Sequence, residues 1–557
     1  MDNINHLQNE DFYFNTGYFF HKQKKYSDAE NYYLKSLEIN HQYVPSLINL
    51  AGLYQQQLKF DDAIKFYLKS LELEPGNTSA YNNLATIYLK NKNIVLAIHY
   101  YLKLLEFEQD FRLYNHVANL FLENREFEKA LKYYSEAINL NPSCVFSFIQ
   151  IATILKNLDR LQEAEPYLLQ AITLKPDNAD YIYDLGVIFL EQEKYEQAES
   201  YFLKALEIDS NNAKFINNLG IVLHEKNELE QALEYYQKAI SLEPGKAEFY
   251  SNLGVLFDDL GRHQKAMQNY LYSLKLDPDY PDAHYNLSNS LLLFGDYKKG
   301  WAEYEWRFFV NKNDTKILNK FYWNGSDLED KTIYVFAEQG FGDTIQFCRY
   351  LSLIKKESVK IIFGCQKELV SLLQELDSIS SIVDDTENTE ITYDYHIPLL
   401  SLPGIIKTTI DTIPANIPYI KVNDTSQTKW ANKFKGNEKF KIGIAWSPKS
   451  DSKTCKNRSV PLKYFIELAN NPEIELFSLQ KEISEALPEN IKNYSKEIED
   501  FSDTAAIINN MDLIISVDTS AAHLAGAMGK PVWTIIPFSP DWRWFLKRDN
   551  SPWYPTM

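Results

Sequence analysis

The sequence predicts an α-helical solenoid followed by an α/β half made of two parallel-sheet domains, and three observations carry that reading. Small residues recur at one spacing through the first half of the chain. Beyond Trp301 the apolar period changes to short runs alternating with helical stretches. A proline-punctuated segment at 408–440 then interrupts that alternation and divides it in two.

The repeat comes first. Ala51, Ala85, Ala118, Ala152, Gly186, Gly220 and Gly254 lie 34 residues apart, with a single one-residue slip. Three positions on stands an aromatic residue or leucine (Tyr54, Tyr88, Phe121, Leu155, Phe189, Leu223, Phe257), and a second small residue follows at Ala63, Ala97, Ala130, Ala164, Ala198, Ala232 and Ala266. Two helices per unit satisfy this pattern: small residues let the pair approach, Tyr67, Tyr101, Tyr134, Phe202, Tyr236 and Tyr270 fill the space between neighbours, and Pro75, Pro142, Pro176, Pro244 and Pro278 stop the second helix. Spacing and residue types resemble the tetratricopeptide repeat. Nine units are expected over residues 10–310, the first and last being atypical caps.

Composition bounds the function. A chain of 557 residues must hold more than one domain, and 45% hydrophobic with 14% aromatic residues supplies its cores. The net charge of −19, without a dense Lys/Arg stripe, argues against nucleic acid as a partner. Four cysteines, Cys144, Cys348, Cys365 and Cys455, show neither zinc nor disulfide spacing, which suggests a reducing compartment. Residues 1–10 lack a charged-then-apolar leader, and no apolar run reaches the roughly 18 residues of a membrane span. The expectation is a cytoplasmic protein.

Residues 311–330 read as a linker. Strands are expected at Thr332–Ala337, Val359–Gly364, Ile379–Val383 and Tyr393–Ile397, then at Lys441–Trp446, Ile474–Leu479, Leu513–Val517 and Val532–Ile536. The divided alternation gives two Rossmann-like domains, 331–425 and 426–557. Ligands of such sheets sit at the carboxyl ends of the strands, so a cleft between the two halves is the expected site.

Two loops carry candidate chemistry. Glu338-Gln339-Gly340-Phe341-Gly342-Asp343 follows a strand and opens a helix over Thr344–Ile354; its glycines permit a tight turn, and Asp343 at the cleft mouth can act as a general base toward a hydroxyl. A plainer role is compatible: Asp343 with Gln346 forms a capping box. Asp518-Thr519-Ser520-Ala521-Ala522-His523 stands between the strand Leu513–Val517 and a helix over Ala521–Met528. Hydroxyls and free amides at a helix start favour a diphosphate, with His523 as a donor. The plainer alternative is that Thr519 or Ser520 caps the helix and His523 is an interior histidine.

These residues resemble a known family. Asp518-Thr519-Ser520-x-x-His523, followed by Ala525, Ala527 and Lys530-Pro531, is similar to the donor-site motif of the ADP-heptose heptosyltransferases, and Gly342-Asp343 resembles their acceptor-side motif. The strings Ala337 to Tyr350 and Pro540-Asp541-Trp542-Arg543-Trp544 resemble the bacterial tetratricopeptide-repeat glycosyltransferase-like proteins over nearly the whole chain, and the domain order is similar to that of the O-linked N-acetylglucosamine transferases. The resemblance implies a GT-B fold, an inverting, metal-independent sugar transfer from a nucleotide-diphosphate donor, and Asp343 as base with Gln339, Gly340 and Gly342 forming the acceptor loop. It implies Asp518, Thr519, Ser520 and His523 at the donor, with Arg458, Lys449 and Lys481 as basic contacts. Ser520 departs from the motif, which has glycine there, and its side chain restricts backbone approach to the diphosphate. No cofactor is implied beyond the sugar nucleotide. The chain's one Asp-x-Asp, Asp277-Pro278-Asp279, ends a repeat, where turn chemistry explains it. Trp542 and Trp544 fit either core or a donor pocket. The resembling proteins continue into a further strand and helix beyond the position of Met557, so a shortened second half is expected.

The solenoid adds a polar ladder. The sixth position of successive units holds Asn15, Asn49, Asn83, His116, Gln150, Asp184, Asn218, Asn252 and Asn286. An asparagine amide both donates to and accepts from a peptide bond, so a ladder facing the groove grips an extended polypeptide whatever its sequence; the alternative is that these amides serve the fold. The leading functional expectation is a glycosyltransferase acting on Ser or Thr of a polypeptide held by the solenoid. The rivals are a scaffold that binds proteins without catalysis and a transferase that acts on a glycan.

Overall fold

The computed structural model describes residues 9–310, 321–386, 390–436, 438–448, 458–483 and 486–557. The chain forms two compact units, Met1–Val222 and Leu223–Met557.

In the first unit, helix pairs follow one another, their first members starting at Glu10, Val44, Thr78, Phe111, Val145 and Ala179. The one-residue slip has a local origin. The second helix of the third pair, Ile94–Leu105, has 12 residues where Phe60–Leu73 and Phe127–Leu140 have 14, and no proline follows it. Ala51 and Ala63 are fully buried, with Tyr67 against them. Where glycine replaces alanine the ring lies closer: a Cβ added at Gly186 would stand 2.6 Å from Phe202 Cε1. Each pair turns through a residue in the left-handed region. Lys24, Leu58, Lys92, Arg125, Asp159 and Glu193 have φ of 61°, 62°, 57°, 60°, 58° and 58°, and a side chain there costs about 1–2 kcal/mol that the flanking helices must offset.

The helix Ala213–Glu225 spans the division between the units. The second unit continues the array with Leu229–Leu242, Ala247–Asp259, His263–Leu276, Pro281–Leu293 and the short Tyr297–Tyr304, then a single turn, Arg307–Val310. Nine helix pairs therefore run from Glu10 to Tyr304 among the described residues.

Two all-parallel sheets follow. The first has strands β1 (Thr332–Phe336), β2 (Lys360–Cys365), β3 (Ser381–Asp384) and β4 (Tyr395–Pro398) in the order β3-β2-β1-β4; the second has β5 (Phe440–Ala445), β6 (Ile474–Ser478), β7 (Ile491–Asn493), β8 (Leu513–Val517) and β9 (Val532–Ile535) in the order β7-β6-β5-β8-β9. In each sheet the first strand is central: Tyr334 pairs in register with Ile362 and His396, and Ile444 with Ser478 and Ile515. The alternation predicts eight of the nine strands found among the described residues; β7, three residues long, is too short for a period to register. Within the expected linker, residues 311–320 lie outside the described residues, and Trp323 is buried with its N–H donating to His396 O at 2.9 Å.

The end of the solenoid shares a core with both sheets. Tyr297, Trp301 and Tyr304 are buried in one apolar cluster with Ile333, Val335, Phe347, Leu400, Ile514, Trp542, Trp553 and Tyr554. Trp301 meets Trp542 edge-on, ring centroids 5.4 Å apart, so Trp542 is core. The last solenoid helix, Tyr297–Tyr304, has 8 residues.

Candidate functional site

Asp343 is the third residue of the helix Phe341–Phe347, whose N-cap is Gly340. Its Oδ2 accepts the Gly340 N–H at 3.0 Å, and its own N–H donates to Gly340 O at 3.1 Å. Asp343 thus fills the place that a capping box gives to Glu or Gln. Gln346 does not pair with it, a correction to the expected box; the Gln346 amide oxygen accepts from Arg543 Nε at 3.1 Å.

Arg543 is the feature that the sequence did not assign. Its Nη2 lies 2.5 Å from Asp343 Oδ1, and its Nη1 donates to Asp541 Oδ1 and Oδ2 at 2.8 and 3.0 Å. The guanidinium, 9% exposed, lies over the Trp542 ring. Burial works against its charge, yet Asp541 and Asp343 raise its pKa well above the usual value. The string Pro540 to Trp544 was the available signal, and nothing in it says which carboxylate 200 residues away the arginine meets.

The second loop leaves a helix start without a side-chain cap. Thr519 is the N-cap of the helix Ser520–Ala527, but its hydroxyl pairs with Ser516 Oγ at 2.9 Å and makes no cap bond, so the first-turn amides have no side-chain cap. Thr519 stands at the cap position of the plainer alternative but gives no side-chain cap bond. A helix start in that condition presents N–H groups and the positive end of the dipole. Asp518, 6% exposed, holds the flanking groups: Arg458 Nη1 lies 3.1 Å from its Oδ2, and His523 Nε2 lies 3.5 Å from its Oδ1. Burial pushes the Asp518 carboxyl up, but His523 and then Arg458 and Arg543 hold it well below the usual carboxylate range. His523 Nδ1 meets Tyr554 Oη at 3.0 Å, and its ring stacks on Trp544 at 5.3 Å. His523 is therefore interior, yet it borders the loop.

The two loops converge within the second unit. A Cβ added at Gly342 would lie 2.9 Å from His523 Cδ2 and 3.7 Å from Ser520 Cα, so only glycine permits this approach. Gln346 Nε2 and Trp544 Nε1 are buried donors without a partner among the described residues. Gln339 has φ +63° and offers its amide to Tyr304 Oη at 3.1 Å. Lys449 lies outside the described residues. Lys481 is exposed and lines a shallow cavity with Leu487, Ile491 and Lys496.

The ladder residues each occupy the sixth place of a first helix. In the first unit, Asn49 Nδ2 donates to Pro45 O at 2.9 Å and Asn218 Nδ2 to Tyr183 Oη at 2.6 Å, so both serve the fold in part; Asn15 is exposed and Asn83 half-buried. In the second unit, Asn252 and Asn286 are half-buried. Asp184 interrupts the ladder, and burial raises its carboxyl despite Lys156 and Lys214.

Tetratricopeptide-repeat profiles match residues 10–43 and 46–79. The chain carries tetratricopeptide repeats. The profile of the C-terminal domain of cilia and flagella-associated protein 70 also matches this tetratricopeptide array, over residues 74–285. Protein FlbA of Caulobacter vibrioides is 24% identical over 312 residues, which are 48% of this chain and 52% of that protein. The chain thus spans about half the length of that relative. Among solved structures, YrrB, described as a TPR protein with an unusual peptide-binding site, is 24% identical over 33% of this chain and 95% of its own, with a TM-score of 0.28. The C-terminal part of a TPR protein from Cytophaga hutchinsonii is 19% identical over 43% of this chain and 99% of its own, with a TM-score of 0.34. Tetratricopeptide repeats imply a peptide or protein partner. No described helix is long and apolar enough to cross a membrane.

Proposed function

We propose that the α/β half is a GT-B-type glycosyltransferase site that moves a sugar from a nucleotide-diphosphate donor to a hydroxyl, the acceptor being Ser or Thr of a polypeptide held by the tetratricopeptide array. The observation that carries this reading is the convergence of Gly342-Asp343 on the uncapped start of Ser520–Ala527 beside His523. In one displacement the acceptor oxygen attacks the anomeric carbon, its proton passes to Asp343, and the bond to the diphosphate breaks with the electron pair going to the phosphate oxygen. A single displacement inverts the anomeric centre. The helix start and Arg458 would receive the leaving charge. Arg543 keeps its bond to Asp541 while Asp343 takes up the proton, so the guanidinium is never left without a counter-ion.

The reading is tested by incubating the protein with a panel of UDP-, GDP- and ADP-linked sugars. Donor hydrolysis that disappears in Asp343→Ala supports it. A second reading has its own observation: both Asp343 oxygens already have partners, Arg543 and Gly340, which a purely structural carboxylate in a protein-binding scaffold would also show. Absence of any turnover and of any thermal shift with every nucleotide favours the scaffold.

A further inference from the structure

We infer that the last solenoid repeat is part of the candidate site, with Arg307 and Tyr304 as positioning residues that fix the Glu338-Gln339 turn and, through it, Asp343; the inference rests on the transferase reading only for its kinetic consequence. Arg307 is buried in the turn that ends the array. It grips Glu338 with two parallel bonds, Nε to Oε2 at 2.9 Å and Nη2 to Oε1 at 2.7 Å, the bidentate geometry that fixes direction as well as distance. The remaining hydrogens are used as well: Nη1 donates to Glu305 Oε1 at 2.7 Å and to Tyr304 O at 3.1 Å, and Nη2 to Ser401 Oγ at 2.7 Å. Glu305 is held in turn by Ser401 and by Tyr322 Oη at 2.7 Å. No donor of the guanidinium is left to let the side chain turn.

The same repeat holds the next residue. Gln339 sits at φ +63°, where a side chain is strained and persists only when its surroundings over-determine it. Its Nε2 donates to Tyr304 Oη at 3.1 Å, and its carbonyl accepts from Gln366 Nε2 at 3.2 Å. Gly340 then presents its N–H to Asp343 Oδ2 at 3.0 Å. The contact chain Arg307–Glu338–Gln339–Gly340–Asp343 is continuous, and it begins on the solenoid. The orientation of the Asp343 carboxylate is therefore set from one side by Arg543 and from the other by the repeat array.

The experiment compares the full chain with Arg307→Lys, which cannot make the bidentate bond, and with Tyr304→Phe, which keeps the buried ring and loses the hydroxyl. Amide hydrogen exchange is read on peptides covering 338–344, on 247–293 and on 520–527. The expected result in both variants is exchange at least tenfold faster over 338–344, with the other two regions unchanged. Where the wild-type protein turns over a member of the sugar-nucleotide panel, kcat per folded molecule falls at least tenfold with KM within twofold, the folded fraction being fixed by circular dichroism and by the unchanged exchange over 247–293 and 520–527. Unchanged exchange over 338–344 in Tyr304→Phe and Arg307→Lys overturns the inference. If wild-type turnover is absent but the loop loosens as expected, positioning stands and the transferase reading fails.

Discussion

Asp343 and Arg543 are 200 residues apart in sequence and 2.5 Å apart in the fold, and they close an ion pair between the helix that follows β1 and the turn that follows β9. Arg543→Met leaves Asp343 and Asp541 without their common cation in a poorly solvated place. The expected loss is about 3 kcal/mol of stability, the scale of removing one member of a buried pair. Chemical denaturation checks it, and Arg543→Met with Asp343→Asn should lose less than the sum of the two single changes.

Acid should unfold the protein partly through Asp518. Its carboxyl is held below the usual range in the fold, so the unfolded chain binds a proton first as pH falls. The contribution is fully present above the unfolded carboxyl value of about 3.9 and is lost progressively below it. Melting temperature followed from pH 5 to pH 2 should therefore fall more steeply for the wild type than for Asp518→Asn.

The left-handed turns offer a stabilising change. Leu58 has φ +62° and is 69% exposed, so its side chain gains little burial from a strained position. Leu58→Gly relieves about 1–2 kcal/mol of strain against a loss of about 0.5–1 kcal/mol of unfolded-chain restriction, for a net gain of about 0.5–1 kcal/mol. Differential scanning calorimetry should record a rise in Tm, and Leu58→Val should record a fall.

Gly342 permits the close approach of the two loops. Gly342→Ala places a methyl group 2.9 Å from His523 Cδ2, a clash that costs about 1–3 kcal/mol if the helices do not part. Tm should drop accordingly, and the imidazole resonances of His523 should shift, since its ring must move against Trp544.

The solenoid was legible because its signal is written nine times, and the αL turns at Lys24, Leu58 and their equivalents show the same period in the backbone. Eight strands were legible from alternation. The short final helix was not, because Tyr297 and Tyr304 keep the repeat's places, 34 residues after His263 and Tyr270, and a period does not say where a helix ends. At the site, Asp343, His523 and Gly342 could be singled out from local motifs. Arg543 and Arg307 could not, because their meaning lies in partners 200 and 31 residues away.

The central claim is that the start of Ser520–Ala527 receives a diphosphate beside Gly342 and Asp343. A crystal structure of the protein with UDP, GDP or ADP tests it most directly. The account predicts phosphate oxygens within hydrogen-bond reach of the Ser520 and Ala521 amides, with Arg458 alongside. A nucleotide seated elsewhere, or a first turn that stays closed against Gly342 at saturating nucleotide, would contradict it.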